Sequence, residues 1–542
     1  MFSTPLDPWP RSHYDLVEHY YAQYERQIAS GEYQPFLYPW GALGALVTLV
    51  YLLVPHQSRP WLRNCKYLVL AWNIGFAVYT MLYTRVKIIS VGYGIGVVSV
   101  WNVVWVSAIL ICNDAQTDFM RIERTEGAFG TASTSTSSKE EDGMDSKRAG
   151  PRKKRHEPKD TIMPTGTAGP ARHQGQYAWQ PYPLSPFVER LDWVLDLLNN
   201  FRGAGWSWRT SALPPPPKWL QEQLGRNSAA VPKHHDRIHA SQARSHPTRT
   251  ELVAANAKTL LTSCLALDAL KTVMMWDPYF WGLVDHPPPS HFPAFITQSA
   301  RITHVYRITL SMVGIKFALQ ALFSVAPLVL AGLIGPDKLG ARAEPFMYPD
   351  TWGPFVAVLD GGLAGWWGNW WHQTFRFGVD QPSRRLLAVF ALDRKTLAGK
   401  VVQLGVAFGI SGLLHAGGSY TFAGETNPIG GSLAFFLWQA VGISAELALT
   451  QAARSTELGD RIPKSLKRVF TFVYVHMWFY FTAHLLIDDV ARGGLWLVEP
   501  VPVSLFRGMG LGADKRDGWW CWDGPTWRWH SGDRWWNSGI AV

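Results

Sequence analysis

The chain has 542 residues, 51 Lys and Arg against 41 Asp and Glu, a net charge of +10 and a mean hydropathy of −0.04 that averages long apolar blocks with a very polar middle. The basic excess raises nucleic acid as a partner, but those residues sit between apolar blocks and no nucleic-acid-binding pattern surrounds them, so that class is excluded. Cys65, Cys112, Cys264 and Cys521 are scattered, which excludes a disulfide framework and a cysteine metal site.

Residues 1–35 place Tyr14, Tyr20, Tyr21 and Tyr24 among charges and read as an interfacial segment; an ordered polar tail is the equal alternative. No basic stretch followed by an apolar core opens the chain, so the first span is expected to act as the anchor. Apolar stretches of the length a bilayer demands lie near 36–54, 65–84, 88–112, 255–276, 304–334, 399–420, 431–450 and 469–490. The pattern predicts an all-α, polytopic transmembrane helical bundle of about eight spans, with the first three filling 36–113. Many of the 28 tryptophans lie at span ends, where an amphipathic indole suits the headgroup region.

From 124 to 175 the composition turns to Ser, Thr, Gly and charge, with Glu140-Glu141-Asp142 and a basic run from Lys147 to Arg155. Such a stretch cannot bury enough apolar surface to offset its ordering entropy, and we expect a disordered, dispensable cytosolic insert. Between membrane spans, the basic run reads as solvated linker or anionic-lipid contact in preference to a nuclear signal. Order resumes at 186, where Phe187, Leu191, Val194, Leu195 and Leu198 mark an amphipathic helix. The following Gly203-Ala204-Gly205 lacks the strand and third glycine of a phosphate loop.

In the fourth span Asp268 and Lys271 share a helix face, which predicts an ion pair inside the bundle, with a substrate contact as the alternative. Asp277-Pro278-Tyr279 ends that helix, because proline disfavours helical geometry in its predecessor. Most loop cations fall on one side, among them Arg59, Arg63, Arg342, Arg376, Arg384, Arg394, Lys395 and Lys467, whereas the loops at 281–303 and 421–430 carry almost none. The positive-inside rule makes the first side cytosolic and the N-terminus lumenal. The basic residues of the tail 491–542 run against that pattern.

Two segments hold the candidate chemistry. Residues 366–376 pack Trp366, Trp367, Trp370 and Trp371 around Asn369 and His372 and end in Arg376. The span at 399–420 carries Ser411, Gly412 and His415, beside a small-residue stripe of Gly405, Gly409, Gly412 and Ala416 that admits a neighbouring helix or a thin ligand. An ionisable histidine at membrane depth is a site hypothesis by default; the plain alternative is a histidine that hydrogen-bonds across helices. Ser411 shares the face of His415 and is placed to orient its ring. Aromatic walls, polar groups at depth and a basic mouth suit a site that joins a phosphate-bearing soluble donor to an apolar acceptor. His372 and His415 lack a third ligand at recognisable spacing, so no metal is expected.

These residues resemble a known family. Trp352, Pro354 and Phe355, then Trp366, Trp367, Gly368, Trp371, His372 and Arg376, then Ser411, Gly412 and His415 are similar to the wax-synthase-like branch of the membrane-bound O-acyltransferase superfamily. Asp192-Trp193, the Arg202 to Trp206 segment and Asp277-Pro278-Tyr279 resemble its fungal members, many of which acetylate terpenoid and meroterpenoid hydroxyls, and the similarity covers most of 186–490. The resemblance implies an endoplasmic-reticulum enzyme with no bound cofactor. It would use acyl-CoA, favouring acetyl-CoA, as co-substrate and an apolar hydroxylated small molecule as acceptor. His415 would be the base and His372 its partner, with Trp367, Trp371, Arg376, Ser411 and Gly412 lining the substrate site. Asn369, three residues before His372, leaves open which of the two assists. Long-chain wax or sterol ester synthesis is the alternative chemistry. A transporter predicts an internal repeat, which the sequence does not show, and a scaffold displaying the insert predicts a dispensable His415.

Overall fold

In lipid no water bonds to exposed backbone groups, so apolar blocks of this length fold as helices that satisfy their own hydrogen bonds. The computed structural model describes residues 10–127, 176–229, 232, 243–454, 462–522 and 527–542 and is mostly helical. A helix α1 (His13–Ala29) opens it, begun by a reciprocal cap between Ser12 and Asp15. The shorter apolar helix α2 (Trp40–Leu53) follows, then, among the described residues, seven helices long and apolar enough to cross a membrane. Two of these, α3 (Pro60–Tyr83) and α4 (Ile89–Ile111), precede the amphipathic α5 (Phe187–Asn199). The next two are α6 (Arg249–Met274) and α7 (Ala300–Ile334). Shorter helices α8 (Val356–Gly365) and α9 (Arg376–Val389) lead into α10 (Leu397–Tyr420), α11 (Ile429–Ala452) and α12 (Lys464–Arg492). The seven spans and α2 match the eight blocks of the sequence.

Loop contacts sort the connections onto two faces. On the first, β1 (Gln34–Pro35) pairs with β3 (Thr84–Arg85), and β2 (Leu37–Tyr38) joins a sheet with β7 (Gly539–Ala541) and β6 (Arg528–His530). On the second, Arg63 meets Asp114 at 2.6 Å, β4 (Arg121–Arg124) pairs with β5 (Tyr177–Gln180), Arg202 donates to the Asp350 carbonyl at 2.8 Å, and Arg468 pairs with Asp360 at 2.7 Å. This alternation fits a crossing at every span, α2 included. The basic tail that runs against the charge pattern is neutralised in part on the first face: Arg507 pairs with Glu499, Arg516 with Asp15 and Glu18, and Arg528 with Glu25.

The boundary expected for the insert shifts. Arg124 ends a buried strand and donates to the Pro336 carbonyl at 2.7 Å, while Arg121 is enclosed by Asp192 at 2.6 Å and by Glu123 and Asp196 at 3.5 Å. The rest of that expectation, 128–175, lies outside the described residues. The Gly203-Ala204-Gly205 segment is a turn: both glycines have positive φ, and Gly205 accepts from Ile122 N at 2.7 Å. The Gly203 amide donates to the Asn200 side chain at 3.0 Å, so it is not left to cradle a phosphate.

The expected Asp268–Lys271 pair is also corrected. Both side chains reach residues far along the chain. Asp268 accepts from the Leu505 and Phe506 amides at 2.7 and 3.3 Å and from the Ser504 hydroxyl, and Lys271 donates to the Trp496 carbonyl at 2.6 Å with Glu499 3.6 Å away. Part of the region expected as a C-terminal tail therefore packs into the bundle.

Asp277, fully buried, accepts both arms of Arg307 at 2.9 Å. Removing one partner of such a pair leaves an uncompensated charge, so Arg307→Ala is expected to cost about 3–5 kcal/mol. Thermal unfolding of the detergent-solubilised protein reads this; an unchanged midpoint would mean that solvent reaches the carboxylate.

Candidate active site

The site is framed by a broken helix. In α8, Gly362 adopts φ 59° and ψ −141°, a conformation open to glycine, and the Glu446 carboxylate from α11 accepts from the Leu363 amide at 2.8 Å. A Cβ on Gly362 would lie 2.5 Å from that carboxylate. Beyond the break the chain widens into a π-turn over Trp366–Trp370 and then becomes extended at Trp371, with ψ 149°.

That turn decides which side chains face inward. His372 lines the central cavity, whereas Asn369 is exposed and is not part of its wall. A spacing of three puts two side chains on one face only in a regular helix, and the π-turn removes that register. Arg376 donates to the Gly368 carbonyl at 3.0 Å and to Gln373 at 2.9 Å, and Gln373 donates to the Trp367 and Trp371 carbonyls at 2.8 and 2.6 Å. Arg376 thus holds the loop closed as well as lining the cavity. His372 Nδ1 has no hydrogen-bond partner among the described residues. Burial first, then His415 and Arg202, push its pKa down to about 3, so it is a neutral imidazole at physiological pH.

His415 comes from α10 and stacks on Phe436, ring centroids 4.5 Å apart and planes 13° apart. Its Nδ1 lies 2.6 Å from the hydroxyl of Tyr93 on α4. Ser411 does not orient the ring as expected; its hydroxyl donates to the Ala407 carbonyl of its own helix at 2.9 Å. The expected small-residue stripe serves only in part. Gly405 and Gly409 face open space, while Gly412 packs on Leu433 and Gly417 on Gly96.

The cavity encloses about 1160 Å³. His372, His415, Trp367, Trp371, Arg376 and Ser411 share its wall; Gly412 lies behind it. It reaches Asp380, Lys400 and Gln403 toward the second, basic face, and Lys271, Pro500 and Trp522 toward the first. Between them the wall is largely apolar, with a few polar groups that converge on the two histidines. No group of three His, Cys, Asp or Glu placed to hold a metal ion occurs among the described residues. Tyr93 and Phe436 were missed in the sequence. Tyr93 is 322 positions from its partner, and its one local signal is the Gly92-x-x-x-Gly96 spacing around it.

Comparison with known proteins falls on this same stretch. Residues 348–438 match the sequence model of the membrane bound O-acyl transferase family. Over longer ranges the chain is similar to acetyltransferase aurG of Calcarisporium arbuscula, 25% identical over 56% of this chain and 65% of that protein. It is also similar to O-mevalon transferase yanI of Aspergillus niger, 26% identical over 48% and 53%, and to acetyltransferase eriL of Hericium erinaceus, 31% identical over 34% and 46%. The chain spans less than two thirds of the length of each of these relatives. No solved structure matches it significantly. The stretch from 348 to 438, which carries both histidines and much of the wall around them, is thus the part of this chain that is similar to the membrane bound O-acyl transferase family.

Proposed function

We propose that the protein is an O-acyltransferase of the endoplasmic reticulum that moves an acetyl group from acetyl-CoA to a hydroxyl of an apolar terpenoid or meroterpenoid. The observation that carries this reading is the cavity, in which two histidines stand on a largely apolar wall between a polar end at Asp380, Lys400 and Gln403 and an opposite end at Lys271, Pro500 and Trp522. His415 takes the proton of the acceptor alcohol as its oxygen attacks the thioester carbonyl. The neutral His372 donates a hydrogen bond to the oxyanion that develops there. The tetrahedral species then collapses, the C–S bond breaks, and the departing thiolate takes the proton from His415. Thiolate leaves readily, so no acyl group needs to rest on the protein. Trp367 and Trp371 wall the acceptor, and Arg376 fixes the loop that carries them. The names of the relatives aurG and eriL support acetyl as the transferred group.

The test is ester formation by membranes containing the protein, supplied with radiolabelled acetyl-CoA or palmitoyl-CoA and with farnesol, ergosterol or hexadecanol. Acetyl esters of the terpenoid alcohols are expected. Palmitoyl esters alone would move the assignment to wax or sterol ester synthesis, and no ester with any pair would remove it.

The same reading puts the basic face in the cytosol, where acyl-CoA is available. Ser383, on that face, is buried in the cavity wall, so labelling belongs at the exposed Lys395. Lys395→Cys is expected to react with an impermeant maleimide in sealed microsomes. Protection until detergent is added would invert the topology.

A further inference from the structure

We infer that Tyr93 is the positioning residue that fixes which nitrogen of His415 acts on the substrate, an inference that rests on the acyltransferase reading above.

The observation begins with helix packing. A Cβ on Gly96 would lie 2.0 Å from the Gly417 carbonyl oxygen, one on Gly92 2.9 Å from the Thr421 carbonyl, and one on Gly417 3.0 Å from the Gly96 carbonyl. The Thr421 hydroxyl donates across the seam to the Gly92 carbonyl at 2.8 Å. Glycines therefore let α4 and α10 touch backbone to backbone, the approach that small residues at four-residue spacing permit in membranes. Tyr93 stands between two of those glycines, and the seam delivers its hydroxyl to His415 Nδ1 at 2.6 Å. The phenol ring is itself held, stacked on Phe422 with centroids 4.8 Å apart. Phe436 covers one face of the imidazole. Ring position and rotation are thus fixed from two sides, and Nε2 is the nitrogen left for the cavity.

The chemistry sets the proton. A neutral imidazole carries one N–H, and which nitrogen holds it follows from the hydrogen bond the other makes. For Nε2 to accept the alcohol proton, the resting proton must be on Nδ1, where it donates to the Tyr93 oxygen. When Nε2 takes the alcohol proton the ring becomes a cation, and the bond from Nδ1–H to Tyr93 becomes charge-assisted and stronger. Tyr93 keeps its own proton throughout, and the proton on Nε2 leaves with the thiolate. The phenol acts through His415 and touches neither substrate.

Tyr93→Phe keeps the ring and its stacking and removes only the hydroxyl. A hydrogen bond to a group that becomes charged corresponds to a fall in kcat of about 10–100-fold, with KM for acetyl-CoA and farnesol unchanged and the thermal midpoint of the protein retained. A readout independent of turnover is the side-chain ¹⁵N spectrum of histidine-labelled protein, with His415 assigned by its loss in His415→Ala. The wild type is expected to show the Nδ1–H form, and Tyr93→Phe a mixture of both forms. A wild-type kcat in Tyr93→Phe, an unaltered His415 spectrum, or a fall in activity that comes with a lower thermal midpoint would each overturn the assignment. Absence of ester formation by the wild type would instead overturn the acyltransferase reading on which it rests, and an active His415→Ala protein would overturn the base role of that histidine.

Discussion

His415→Ala is expected to lower ester formation by ~10²–10⁴-fold, the range lost with a positioned general base. The change removes one side chain from the wall of a cavity that is already open, leaves the backbone seam between α4 and α10 intact, and touches no ion pair. Membrane insertion and acyl-CoA binding are expected to persist, so the loss should fall on kcat. Equilibrium binding of a non-hydrolysable acyl-CoA analogue separates the two. His372→Ala should also be impaired, by the smaller margin of an oxyanion donor, and Asn369→Ala should behave as wild type because Asn369 faces away from the cavity. Substantial turnover by a well-expressed His415→Ala protein would return the histidine to packing.

Gly96→Ala should do nearly as much damage without removing a polar group. The added methyl would sit 2.0 Å from the Gly417 carbonyl oxygen and 2.4 Å from its carbon. Backbone cannot swing aside as a side chain can, so the two helices must part. Overpacking of this kind costs about 1–3 kcal/mol in stability, and a displacement of about 1 Å at a reacting group costs about 10²-fold in rate. Gly94→Ala, on the same turn but with nothing within 4 Å of its added methyl, is the control and should be silent. The pair is read by initial rates in membranes alongside thermal midpoints. Equal rates for the two variants would show that the seam does not position the site.

How much of this was legible in the sequence follows from the range of each interaction. The spans were readable because a bilayer imposes a length that one stretch of residues meets by itself. That His372, Arg376 and His415 share one cavity wall was readable because each sits in a compact local pattern. The choice between Asn369 and His372 stayed open in the sequence because a π-turn of five residues breaks the register that spacing arguments assume. Asp268 and Lys271 were paired with each other because their real partners, the amides of Leu505 and Phe506 and the carbonyl of Trp496, lie more than two hundred positions away. Tyr93 was invisible for the same reason. Ser411 had a nearer acceptor in its own helix than the ring it was expected to orient.

The small sheet on the first face has a consequence for how the chain is made. Leu37 and Tyr38 pair with Ile540 and Ala541, and the Trp40 indole donates to the Ser538 carbonyl at 2.8 Å across 498 positions. The short apolar helix α2 is thus clasped by residues made long after it. Contacts of such long sequence separation form late, because the loop they close is costly in entropy. Until β6 and β7 are made α2 must hold its place in the bilayer unclasped, and the other spans assemble beside an open edge. Lesions in β6 or β7 should therefore reduce the yield of folded protein far more than the rate of each molecule that succeeds in folding.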